Sequence, residues 1–128
     1  MEETKFYTPE IEEFHVGFEY EWNRKDSNES FQKGVIIDGK QIDDIYNTVY
    51  DIRVKCLDME DIVSLGWSPY LINVNGFFFK LGSNSDIELS FMRQNGLTIR
   101  NYSYELFFGT IRNKSELKLL MKQLGIIV

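Results

Sequence analysis

The sequence lacks several features that assign a small protein to a functional class. It has one cysteine, Cys56, so no disulfide forms within the chain, and we expect a reducing compartment, the cytoplasm. No apolar run approaches the roughly 18 residues of a membrane-spanning helix, and the acidic first residues lack the basic and apolar regions of a signal peptide. We therefore expect no membrane association. The sequence also has no Ser-His-Asp spacing, phosphate-binding loop or paired-cysteine motif, so we expect no cofactor.

Basic residues are scarce relative to acidic ones. The chain holds 14 Lys and Arg against 20 Asp and Glu, a formal net charge of −6. Binding to a nucleic-acid backbone requires clustered positive charge, so we expect no direct nucleic-acid partner. The acidic excess lies in the first 30 residues, whereas residues 62–128 are slightly basic. The two ends could attract one another within the fold, or an acidic face could be offered to a basic partner.

Aromatic residues are abundant, with 10 Phe, 7 Tyr and 2 Trp. A chain of 128 residues has the usual length of one domain, so we predict a single domain over residues 1–128, with residues 1–10 as a flexible or loosely docked lead-in. One small core does not easily bury so many rings. We therefore expect some at the surface, where exposed aromatic side chains often mark contacts with a partner.

Apolar and polar residues alternate strictly over residues 14–22, which predicts a long, half-buried strand with an aromatic inner face. Its other face would hold the only histidine, His15, beside Glu19 and Glu21. Alternate strand positions lie about 7 Å apart, so the two carboxylates could share a cation, or one could orient the imidazole. The alternative is a solvated strand face, because a metal site would need a further ligand from a distant acid such as Asp38.

Further elements follow from turn and capping signals. Residues 40–50 combine helical and strand spacing, and we assign a short irregular or helical piece to about residue 47 before a strand from about 48 to 57. A short helix over 58–66 and a C-terminal helix over 113–125 have capping residues at their starts and glycines at their ends. The predicted fold class is α+β, a mostly antiparallel sheet of five to seven strands with the short middle helix and the C-terminal helix packed on one face.

Two Asn-Gly pairs predict hairpins. A two-residue turn at 75–76 pairs Val74 with Phe77 and places the apolar residues of both strands on one face. The same turn at the second pair would put apolar residues on the wrong side. A three-residue loop at 94–96, with Gly96 left-handed in a bulge, restores the match between the two faces.

Some side chains stand out as candidates for contact with a partner. In the run of three phenylalanines at 77–79, Phe78 must face away from its neighbours, into either an exposed patch or a second packing layer. Cys56 alternates with apolar residues and is interpreted as an inert core thiol, with a nucleophile as the alternative. The predicted interaction surface consists of Glu12, Glu19, Glu21, Trp67, Phe78 and Phe107.

Three blocks of the sequence form a recognisable pattern. They are 11–21 (IEEFHVGFEYE), then 53–58 (RVKCLD) with 60–62 (EDI) and 65–67 (LGW), and finally 112–118 (RNKSELK) with 122–125 (KQLG). Together they resemble a group of small uncharacterised proteins from gut Bacteroidales and the tailed phages that infect them. This resemblance implies a bacterial or phage setting and a small accessory role, and it implies no activity, ligand or catalytic residue.

Three hypotheses for function result. The favoured one is a non-enzymatic accessory protein that acts through protein–protein interaction or self-assembly. The resemblance implies that it could be phage-encoded, and we expect it in the bacterial cytoplasm or in the virion. The second is a small enzyme or metal-binding protein centred on His15, Glu19 and Glu21. The third is an acidic mimic of nucleic acid that inhibits a host defence enzyme.

Overall fold

The structure is a computed structural model that describes residues 4–45, 50–81, 84–92, 96–102 and 104–126. The chain forms two compact units, Met1–Cys56 and Leu57–Val128. The architecture is α+β with mostly antiparallel strands, which confirms the predicted class. The strands form two sheets, of four and five strands, instead of the one sheet predicted.

The first unit contains the four-stranded sheet, in the order β1-β4-β2-β3. Helix α1 confirms the helical interpretation as far as residue 45, residues 46–49 lie outside the described part, and strand structure begins again at residue 50. In the predicted lead-in, two residues pair with β4 and so belong to the sheet. The elements are β1 (Phe6–Tyr7), a 3-10 helix (Ile11–Glu13), β2 (Glu19–Arg24), β3 (Gln32–Val35), α1 (Lys40–Ile45) and β4 (Tyr50–Lys55).

The predicted strand over residues 14–22 is only half correct, because β2 begins at Glu19. Before it the chain turns at Gly17, whose φ of +93° lies in the left-handed region. The amide of Phe18 donates to the carbonyl of His15 at 2.9 Å, which closes the turn. Residues 14–18 are therefore not part of β2, so the alternation does not decide which way their side chains point. Val16, which the pattern places on the buried side, is 69% exposed.

The second unit contains the five-stranded sheet, a meander in the order β5-β6-β7-β8-β9. Strands adjacent in sequence are adjacent in space, as expected for hairpin connections. The elements are α2 (Met59–Ser64), β5 (Trp67–Asn73), β6 (Gly76–Leu81), β7 (Asn84–Met92), β8 (Gly96–Asn101), β9 (Tyr104–Thr110) and α3 (Lys114–Gln123).

Both predicted helices of this unit have the caps that the sequence indicated. The carboxylate of Asp58 accepts a hydrogen bond from the amide of Asp61 at 2.9 Å at the start of α2. The side chain of Asn113 accepts one from the amide of Glu116 at 2.8 Å at the start of α3. These bonds satisfy amides that have no partner within the first turn of a helix.

Helix α3 packs on one face of the five-stranded sheet, which we call the inner face. Its fully buried Leu117 lies in the same cluster as Leu89 from the centre of the sheet. Trp67 is 1% exposed in this cluster, and its indole Nε1 donates to the Sδ of Met121 at 3.4 Å. The prediction of Trp67 as a surface contact residue is therefore wrong. At the start of β5 it pairs with Leu81 on the side that the helix covers.

The registers of the two predicted hairpins differ from the sequence-based ones. In the first, Ile72 pairs with Phe77, so the turn is at residues 74–75 and Val74 is 83% exposed. A Cβ atom at Gly76 would collide with the carbonyl oxygen of Phe91 and lie 2.9 Å from the Cα of Met92. Glycine is therefore required at position 76 because the backbone of β7 lies so close, and not because of the turn.

In the second hairpin, Phe91 pairs with Leu97, whereas the predicted three-residue loop pairs it with Ile99, two residues further along. Gly96 belongs to β8 and is not left-handed, so the predicted bulge there is wrong. The loop residues 93–95 lie outside the described part. A shift by two residues keeps every side chain on its face, which is why the apolar pattern did not detect the error.

Candidate functional site

The predicted cluster of His15, Glu19 and Glu21 does not form on one strand, because His15 lies in the turn before β2. The imidazole stacks edge-on against Phe18, with ring centroids 5.6 Å apart, and its Nδ1 lies 3.0 Å from the carbonyl oxygen of Val16. Within the described ranges, no three His, Cys, Asp or Glu side chains lie close enough together to hold a metal ion.

Glu21 is instead held by Arg53 on the neighbouring strand β4. One carboxylate oxygen of Glu21 accepts from Nε of Arg53 at 3.0 Å and from Nη2 at 2.8 Å. The guanidinium carbon lies 3.7 Å from the ring centroid of Phe6 and 4.0 Å from that of Phe31. The guanidinium is thus both stacked and paired, which makes Glu21 part of the sheet's own structure. Of the predicted acidic residues, Glu12 and Glu19 are exposed.

Cys56 is half-buried at the end of the first unit. Burial raises the pKa of its thiol, and the positive charge of Lys5 opposes this effect only in part. A raised pKa keeps the thiol protonated at neutral pH, and a protonated thiol is a poor nucleophile. The geometry therefore favours the interpretation of Cys56 as an unreactive thiol.

The most distinctive surface is the face of the five-stranded sheet opposite α3, which we call the outer face. Five side chains stand directly opposite one another across all five strands. At its two ends Leu71 is 47% exposed and Phe108 is 72% exposed, while the middle positions hold small hydroxyl residues. We call this line the central row: Leu71, Phe78, Ser90, Thr98 and Phe108.

A second line of opposed side chains runs beside the central row, and its charges alternate in sign. We call it the charged row: Lys80 (β6), Glu88 (β7), Arg100 (β8) and Glu105 (β9). The Nη2 of Arg100 lies 4.0 Å from the carboxylate of Glu105. Opposite charges directly across a strand pair stabilise the pair modestly, so the row is consistent with an ordered sheet surface.

A third line, on the other side of the central row, consists of small residues around one large one. Gly76 pairs with Met92, and Gly96 pairs with Thr110. A Cβ atom built on Gly96 would lie 3.9 Å from the Cβ of Met92, so these two residues share the outer face. We call these four residues the glycine row. Among the described residues, only Met92 lies within 4 Å of a Cβ atom placed at Gly96, so the glycine leaves a hollow beside Met92.

The sequence identified only part of this surface. Phe78 lies on the outer face as predicted, with its ring 6.5 Å from that of Tyr70. Phe107 pairs with Ile99 and packs against the core, so its place on the surface is taken by its neighbour Phe108. Adjacent aromatic residues must point to opposite faces, and this was the one available signal for Phe108.

Two irregularities interrupt the sheet. The ladder between β5 and β6 shifts between Pro69 and Leu71, and the ladder between β8 and β9 shifts between Ile99 and Arg100. Each shift reverses the alternation along one strand. Leu71 lies opposite Phe78 on the outer face, which is the face that the predicted register of the first hairpin implied.

Comparison of the chain with protein-family models, with curated proteins and with solved structures finds no match. None of the helices in the described part of the chain is long and apolar enough to cross a membrane.

Proposed function

We propose that the protein is a non-enzymatic interaction protein and that the outer face of the five-stranded sheet binds another protein chain. The observation that carries the proposal is the central row, which brings apolar side chains from both edges and from β6 onto the outer face. Leu71 and Phe108 are exposed there, Phe78 is half-buried, and Thr98 at the centre is 8% exposed. Exposed apolar groups at both edges of one sheet face favour association, because covering them removes apolar surface from water. The setting, a bacterial cytoplasm or a phage particle, is proposed from the resemblance alone.

The alternation of charge on the outer face favours this proposal over an acidic mimic of nucleic acid. A mimic needs a line of negative charges that repeats like a phosphate backbone. Here each acid of the charged row stands beside a base, as Glu88 does beside Lys80 and Arg100. A metal-dependent activity at His15 receives no corresponding support, because Arg53 binds Glu21.

The test replaces the two most exposed apolar residues of the central row together, as Leu71→Thr with Phe108→Thr. The tagged full chain is captured from a nuclease-treated Bacteroidales lysate, and its mass is measured by light scattering. We expect the double variant to lose its stoichiometric partner, whether another protein or a second copy, because Phe108, the most exposed apolar side chain of the row, and Leu71 beside Phe78 no longer offer apolar surface.

The matched control is Val74→Thr, which removes an 83% exposed apolar side chain from the β5–β6 turn, outside the three rows. This variant should keep the partner. If the double variant binds every partner as strongly as the original chain, the outer face is not the binding surface and the proposed function is wrong.

A further inference from the structure

We propose that the chain bound by the outer face is a second copy of this protein, stacked face to face about a two-fold axis that runs parallel to the strands between β7 and β8. The inference rests on the proposed function and specifies its partner. Such an axis places β6 opposite β9 of the second copy and β7 opposite β8. The charged row and the glycine row each then face the same row of the second copy in reverse order. The four residues of the central row on β6 to β9 do the same, while Leu71 on β5 lies beyond the facing sheet.

The charged row determines the position of the axis. In this arrangement Lys80 faces Glu105 of the second copy, and Glu88 faces Arg100. The symmetry repeats both pairs, so every charge in the row meets an opposite one. An axis on β7 itself would place Lys80 opposite Arg100 of the second copy and Glu88 opposite Glu88 of the second copy. Like charges that face each other in an interface are strongly unfavourable. Only an axis between β7 and β8 satisfies the whole row.

The central row is complementary about the same axis. Phe78 faces Phe108 of the second copy at both ends of the part of the row that is covered, and aromatic pairs add attraction beyond the area they bury. In the middle, Ser90 faces Thr98, a small residue only 8% exposed within its own chain, so no bulky side chain separates the two rows there. Apolar groups thus meet apolar groups, and polar groups meet polar ones.

The glycine row adds a match of shape. Met92 faces Gly96 of the second copy, so the one long side chain of the row enters the hollow that the glycine leaves. Gly76 faces Thr110, again a small residue against a larger one. Methionine adapts readily to such hollows because its side chain is unbranched and flexible.

The charge of the second unit also permits two copies to stack. Residues 57–128 carry seven acidic and seven basic side chains, so this unit is neutral and the whole net charge of −6 belongs to residues 1–56. Two outer faces therefore approach without net repulsion between the units that bear them.

The test uses two charge reversals in the full chain, Lys80→Glu and Glu105→Lys, studied by sedimentation velocity over a range of concentrations. In a dimer of either variant, two pairs of like charge face each other. We expect each variant alone to dissociate with a dissociation constant raised roughly tenfold or more. In an equimolar mixture the reversed charges face each other, so the mixed dimer should form with the affinity of the original chain.

Matched controls make the same charge changes elsewhere. Lys118→Glu alters an exposed lysine of α3, and Glu29→Lys alters an exposed loop residue. Both controls should dimerise as the original chain does. Circular dichroism of each variant shows whether it is folded, and recovery of the dimer in the mixture requires that both are.

The outcomes separate this inference from the proposed function. Dimers in the original chain and in the mixture, but in neither variant alone, support the arrangement. If the original chain dimerises and the variants do so equally, or the mixture does not recover, the proposed axis is wrong. If the original chain stays a monomer while the Leu71 and Phe108 double variant loses a different protein, the second copy is wrong and the proposed function stands. A monomer whose outer face affects no partner contradicts both.

Discussion

At the scale of the single residue, Arg53 binds the carboxylate of Glu21, which the sequence pattern assigned to a candidate metal site. Its guanidinium lies between the rings of Phe6 and Phe31 and binds the carboxylate of Glu21. Sequence alone gave no means of finding this cluster, because its members come from four separate segments of the first unit. The carboxylate that was assigned to a cation is neutralised by a residue of the same sheet.

We predict that Arg53→Lys lowers the free energy of unfolding by about 1–2 kcal/mol, because a lysine loses the planar stacking and the two-nitrogen contact with Glu21. Urea denaturation measures the change. Arg24→Lys is the control, since Arg24 is exposed and its Nε lies 3.5 Å from Asp26. Its effect should stay below about 0.5 kcal/mol, as for other surface ion pairs. Equal effects of the two substitutions would show that the stacking contributes nothing.

At the scale of the element, α3 is a helix whose start is specified by a local cap at Asn113 and whose apolar side chains pack into the core. The apolar side chains of α3 face the inner face of the five-stranded sheet, where Leu117 is fully buried. Leu119 on the same helix is 37% exposed. The helix therefore provides its own comparison between a buried leucine and an exposed one.

Leu117→Ala should reduce the free energy of unfolding by about 2–5 kcal/mol, because it leaves a cavity in a packed core. Leu119→Ala should cost about 0.5 kcal/mol or less, since little apolar surface is buried there. Thermal or urea unfolding of both variants makes the comparison. Similar losses would mean that α3 does not pack on the sheet through this face.

The contrast between helices and hairpins explains how much of the fold the sequence predicted. The caps at Asp58 and Asn113 involve partners only three residues away, so local sequence specifies them. The pairing of Phe91 with Leu97 depends on all the strands together, and a two-residue shift leaves the apolar pattern unchanged. On the outer face the sequence placed Phe78 and, through the register of the first hairpin, Leu71, whereas the shift beside Arg100 is a tertiary feature without a local signal.

At the scale of the whole molecule, several groups that titrate at alkaline pH share one direction of change. Burial raises the pKa of Tyr20. It is also the main cause of the raised pKa of Tyr70, beside Glu88, and of Cys56. In each case the folded chain favours the neutral form. The unfolded chain therefore loses these protons first as the pH rises.

We predict that the free energy of unfolding is undiminished by these groups below pH 8 and falls as the pH rises above about 8.5, the ordinary pKa of cysteine, and further above about 10, that of tyrosine. Urea denaturation at a series of pH values from 7 to 10.5 tests this. Replacing Tyr20 by Phe and Cys56 by Ser should make the decline shallower. A free energy that is constant or rises over that range would contradict the prediction.

The charged row also has a kinetic consequence. Its charges alternate at the spacing of neighbouring strands, about 4.8 Å, so their fields cancel within one Debye length of about 8 Å at physiological salt. A surface of this kind exerts no long-range attraction and does not accelerate encounter, since steering requires a net field. The association rate should therefore stay near that of uncharged proteins, with selectivity for the correct partner expressed almost entirely in how long the complex survives.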